Sequence, residues 1–160
     1  MYEDIAVADH PKPLIVTGFV VDPVSGSFDE VERLILPQDR VSMMDIGRRT
    51  FAVLYDERNW SCKRPAPSAV NGADVVLMGT SIVFAVEGTT IRELDDDSRR
   101  FLTDNIQVMR ITDAKGSYTT YCLQDCRMVP APRKTSFIGR MRSWLGGTPT
   151  TIPPNHIYQE

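Results

Sequence analysis

The chain has 160 residues, 42% hydrophobic and 24% charged, the size and make-up of one globular domain with attached segments. No run approaches the roughly 18 uncharged apolar residues that a spanning helix needs, which predicts no membrane span. Residues 1–9 carry Glu3, Asp4 and Asp9 with no basic residue, unlike an export signal or transit peptide, so cytoplasmic synthesis without an export signal is expected, with incorporation into a virion as the further expectation.

The net charge of -3 is unevenly spread. Five basic residues, Arg127, Arg133, Lys134, Arg140 and Arg142, oppose only Glu160 in the last 34 positions, leaving that stretch at +4 and the first 126 residues at -7. An acidic body argues against general nucleic-acid binding, because duplex affinity rests on neutralising several phosphates at once.

Residues 1–13 are polar, end in His10-Pro11-Lys12-Pro13 and show no regular period, which predicts an extended N-terminal arm. Residues 14–21 are β-branched and aromatic, a core strand whose central Gly18 marks a bulge or a close backbone approach. Residues 22–26 have the composition of a turn. Residues 27–36 fit either helix or strand. Ser27 and Glu30 have capping-box spacing, and Val31, Leu34 and Ile35 fall on one helical face, which favours the helix narrowly. Pro37 ends the segment in either case.

From residue 50 the pattern becomes one of short strands. Residues 50–55 and 60–63 flank a polar break and predict a hairpin. Residues 64–68, with Pro65 and Pro67, read as a loop. Asn71-Gly72 is suited to a tight primed turn with strands on both sides. Residues 74–78 and 81–86 are apolar runs separated by Gly79, and a further short run covers 89–94. Asp95, Asp96 and Asp97 then offset the positive end of a short helix over 98–105, docked by Phe101 and Leu102. Residues 106–112 and 117–129 predict a hairpin with a long second arm. Pro130 and Pro132 close the globular part.

These elements predict a mainly β fold, an antiparallel β-sandwich or partly open barrel over residues 14–132, with one or two short helices and two terminal arms. In the C-terminal arm, 133–160, Ser136 can cap an amphipathic helix over 136–145 that gathers Phe137, Ile138, Met141, Trp144 and Leu145, with Arg140 and Arg142 on other faces. Burying that cluster is worth about 1.5 to 3 kcal/mol per large side chain, and a free helix this short is marginal in water, so it needs a surface.

Signatures of chemistry are sparse. The chain has no GxSxG, HExxH, GxxxxGK[ST] or GxGxxG, and His10 and His156 both fall in the predicted arms, so neither an enzyme nor a cofactor or metal site is expected. Three cysteines, Cys62, Cys122 and Cys126, are too few for a disulfide framework. In a continuous strand Cys122 and Cys126 would stand about 13 Å apart, too far to bond. Burial as small hydrophobes is the first reading and disulfides to a neighbouring subunit the second. A turn at 123–125 would bring the pair together.

Arg48-Arg49 and the Asp39-Arg40-Val41-Ser42 stretch invite comparison with cyclic-dinucleotide-binding PilZ barrels, which pair an arginine motif with a D-x-S-x-x-G turn. Neither interval agrees: Ser42 follows Asp39 by three positions, Gly47 follows Ser42 by five, and the arginines come after the turn. The expected function is therefore a non-enzymatic structural subunit whose arms dock on other subunits, in a homo- or hetero-oligomer. In size and layout it is similar to components of bacteriophage tails, necks and capsid decoration. The alternative is a stand-alone ligand-binding or inhibitory β-barrel domain with Arg40, Arg48 and Arg49 as anion or nucleotide contacts.

Overall fold

The computed structural model describes residues 5–23, 25–26, 28–56, 66–114 and 116–132. Cys62, the second arm of the 50–63 hairpin and the whole segment 133–160, with its amphipathic helix, lie outside the described residues.

The fold is mainly β, with eleven strands and one helix among the described residues: β1 (Leu14–Val21), β2 (Glu30–Ile35), β3 (Ser42–Ile46), β4 (Arg49–Tyr55), β5 (Pro67–Asn71), β6 (Asp74–Met78), β7 (Ser81–Glu87), β8 (Thr90–Arg92), α1 (Asp96–Asp104), β9 (Ile106–Asp113), β10 (Gly116–Leu123) and β11 (Cys126–Met128). One sheet runs β11-β3-β4-β7-β1-β2, with β8 also on β7; the other runs β6-β5-β10-β9. All pairings between these strands are antiparallel except β5 with β10, which meet in parallel at Ala69 and Leu123. The sheets pack as a sandwich. No helix among the described residues is long and apolar enough to cross a membrane.

Strand alternation explains why the large sheet is buried on both faces. Phe51 and Val53 of β4 join Phe19, Met44, Ile46 and Val83 against Ala69, Leu77 and Leu123 of the small sheet, with Leu102 of α1 closing one end. Ala52, one residue out of phase, points the other way into a second cluster with Val16, Met43 and Phe84. The N-terminal arm covers that second face. Ala6 and Ala8 donate their N–H groups to the carbonyls of Val129 and Val41, and Met43 N–H donates back to Ala6. Ile5, Val7 and Asp9 bridge to Pro130, Ser42 and Thr90. The arm is extended, as its prolines and polar residues predict, and it is bound by its own domain.

Several expectations need correction. Residues 30–35 form a strand, not a helix, because six residues register against β1 from Leu14↔Ile35 to Phe19↔Glu30. The apolar stripe on which the helical reading rests does little burying: Val31 and Leu34 are exposed and Ile35 alone is buried. Pro67 and Ser68 belong to β5, with Pro67 at the first strand position, where a missing N–H costs least. The turn after β5 is displaced by one residue. Asn71 pairs with Asp74, so the two-residue loop is Gly72-Ala73, with positive φ at Gly72 alone. The helix begins two residues early because Asp95, not a later residue, caps it. The long arm over 117–129 is broken: a bend at Gln124 and Asp125, the latter at φ 57°, carries the chain from the small sheet to the large one.

Candidate functional site

Three neighbourhoods gather the residues with chemical potential. The first is the start of α1. The Asp95 carboxylate accepts the Ser98 N–H at 2.7 Å, satisfying one of the unpaired amides of the first turn. That bond and the Ser98 hydroxyl hold the Asp95 carboxyl below its ordinary range. Arg49, from the end of the β3–β4 hairpin, reaches Asp97 at 2.9 Å and the Ser98 hydroxyl at 2.9 Å. Arg99 ties Asp96 to Glu30 of β2. Each acid of this cluster is thus engaged in building the helix start, and among the described residues no group of three acidic, histidine or cysteine side chains is arranged to hold a metal.

The second is the β10–β11 bend. Cys122 and Cys126 are free thiols and fully buried. Gln124 Nε2 donates to Cys122 Sγ at 3.4 Å, and Cys126 Sγ donates to the Gln124 carbonyl at 3.6 Å. Burial pushes the Cys122 thiol up to about 11 and Cys126 to about 12. Thiols so held are poor nucleophiles at neutral pH. A second chain could reach them only by displacing this bend.

The third is a polar groove of about 580 Å³ at one end of the large sheet. Its lining includes Arg33 of β2, Arg40 from the β2–β3 loop, Ser42 at the first position of β3, Tyr55 at the last of β4, Asp56 and Thr80. Arg40 also donates to the Ile5 carbonyl at 3.4 Å. Ser42 is fully buried, and its hydroxyl has no hydrogen-bond partner among the described residues.

The structure separates the arginine trio read from the sequence. Arg40 lines the groove; Arg48 is exposed in the hairpin turn; Arg49 is stacked at α1, at the other end of β3 from Arg40. Sequence reasoning missed Arg33, because the helical reading of 27–36 gave its side chain no defined face. In β2 it registers against Val16 and shares the sheet face of Ile35.

Two apolar pairs lie on the surface at outer strands. Ile15 and Leu34 are cross-strand partners on one face of β1–β2, 64% and 49% exposed, and Glu32 neighbours them on that face. Val108 and Tyr121 are partners on β9–β10 and are also exposed. Comparison of the chain with protein-family models, with curated proteins and with solved structures gave no match.

Proposed function

We propose that the protein is a non-enzymatic structural subunit of a larger protein assembly, of the kind built into bacteriophage tails, necks and capsid decoration. The observation that carries this reading is the exposed Ile15–Leu34 pair on the outermost strand pair of the large sheet. Among the described residues β2 pairs with β1 alone, so its other edge keeps backbone donors and acceptors for another chain. Monomeric proteins tend to blunt such edges or cover them; here the edge carries apolar side chains beside Glu30 and Glu32.

The charge distribution supports the same reading. The N-terminal arm is stitched to its own domain, which leaves the basic segment 133–160 as the arm for a neighbour's acidic body. Phe137, Ile138, Met141, Trp144 and Leu145 supply the apolar contact, and Arg140 and Arg142 the charge. The test is light scattering on the full chain and on a chain ending at Pro132, each with its native neighbours. Loss of the complex on truncation supports the proposal; a complex of unchanged stoichiometry overturns it.

A further inference from the structure

We propose that segment 136–145 of a second copy of this chain seats on the Ile15–Leu34 face of β1–β2; this docking rests on the assembly role above and gives it a partner. Strand alternation puts Ile15, Thr17 and Phe19 of β1 on one side of the large sheet with their partners Leu34, Glu32 and Glu30 of β2. Phe19, at one end of that row, is buried between the sheets with Ala69, Leu77 and Leu123. Ile15 and Leu34, at the other end, are 64% and 49% exposed. The small sheet thus covers part of this side and leaves the rest open, and an apolar sheet surface is the kind of surface that a helix covers.

Charge and the exit point of the chain identify the occupant. Glu30 is taken up by Arg99 of α1, whereas Glu32, exposed on the same side as Leu34, makes no ion pair among the described residues. Residues 133–145 carry Arg133, Lys134, Arg140 and Arg142 and no acidic residue, around the five apolar residues of the helix that the sequence predicts. Apolar side chains can then meet Ile15 and Leu34 while a guanidinium meets Glu32. The segment comes from another copy because of where it leaves its own. β11 and β2 are the two ends of the strand order. Val129, just after β11, packs against the cluster of Val16, Met43 and Phe84, on the opposite side of the large sheet from Phe19, and Pro130 bridges to Ile5. Only residues 133–135 separate Pro132 from Ser136, where the helix is expected to begin, and they allow about 14 Å at most. To cover its own Ile15–Leu34 face the segment would have to pass from one end of the sheet to the other and round to its opposite side. A neighbour set against β11 presents that face without the detour.

The test is sedimentation velocity of the full chain over a range of concentrations, alone and as mixed variants. Leu34→Lys puts a positive charge on the exposed seat and leaves the arm intact; Trp144→Asp alters the arm and leaves the seat intact. The parent should self-associate as concentration rises, and each variant alone should do so about tenfold more weakly. An equimolar mixture should restore a pair holding one chain of each kind, at close to the parent affinity, because each supplies the half that the other lacks. Both variants should melt at the parent's temperature when all three are monomeric. A mixture that associates no better than its components, or a Leu34→Lys chain that associates as tightly as the parent, would overturn the proposal. So would a concentration-independent drop in melting temperature in both variants, which would place the arm on its own domain. If the parent stays monomeric by itself while its complex with native neighbours still needs the arm, the partner is a different protein: the second-copy inference fails and the assembly role stands.

Discussion

The Arg49 guanidinium lies over the Phe101 ring, 4.9 Å from its centroid, and this contact fastens α1 to the large sheet. Phe51 stacks on Phe101 with centroids 6.0 Å apart, so Arg49 covers the exposed side of an aromatic pair shared by helix and strand. The Asp97 partner is 78% exposed and adds little, as surface ion pairs do. Arg49→Ala should therefore cost about 1 to 2 kcal/mol in urea unfolding, mostly through lost ring contact, and Asp97→Ala under about 0.5 kcal/mol. Equal losses would place the energy in the ion pair instead.

The Asp95 cap makes helix stability depend on acid. Its carboxyl is held below the ordinary value because the charged form accepts the Ser98 N–H. A group with a lowered folded-state pKa contributes stability above its unfolded pKa and loses it as pH falls through the folded one. Asp95→Ala should lower the melting temperature at pH 7, and the gap from the parent should shrink as pH falls below about 4. Asp95→Asn, which keeps a capping oxygen, should sit between them.

Gly18 is fixed by a neighbour rather than by a turn. A methyl group there would lie 2.6 Å from Ile82 Cγ2 and 2.6 Å from the Phe84 ring, and Phe84 is fully buried. Gly18→Ala should destabilise by about 1 to 3 kcal/mol, the usual cost of overpacking. Paired with Phe84→Leu, the loss should be less than additive, a coupling that a double-mutant cycle measures.

The buried thiols make a prediction at alkaline pH. Burial raises Cys122 from an ordinary 9.0 to about 11 and Cys126 to about 12, so the folded chain keeps protons that the unfolded chain releases. Their contribution to stability is whole below about pH 9 and is lost as pH climbs towards 11 to 12. In a Cys62→Ser background, a thiol reagent at pH 8 should label neither cysteine in native buffer and both in denaturant. Rapid native labelling would contradict the burial.

Strand runs rich in Val, Ile and Phe were legible from sequence: residues 14–21 and 74–78 form strands with the expected bounds, and the β9–β10 hairpin begins where its pattern does. β3 was not, since Ser42-Met43-Met44-Asp45 lacks β-branched residues and takes its shape from β4 and β11 on either side. β2 was misread because a stripe at helical spacing also fits an outer strand whose apolar residues stay exposed. The bend between Cys122 and Cys126 carries no glycine or proline; Asp125 adopts the left-handed conformation, and its carbonyl accepts the Gly47 N–H at 3.0 Å. The groove was illegible for a related reason: Arg33 and Arg40 come to line one groove only once β2 is a strand and the chain turns back into β3.

Docking of the C-terminal arm on a neighbour is tested most directly at Trp144. A Trp60→Phe chain leaves it as the sole tryptophan, and acrylamide quenching of its fluorescence reads its exposure directly. An arm that docks on neighbours gives strong quenching in the isolated chain and protection once the native neighbours are added. Protection already complete in the isolated chain at monomeric concentration, or exposure that persists in the assembled complex, would contradict it.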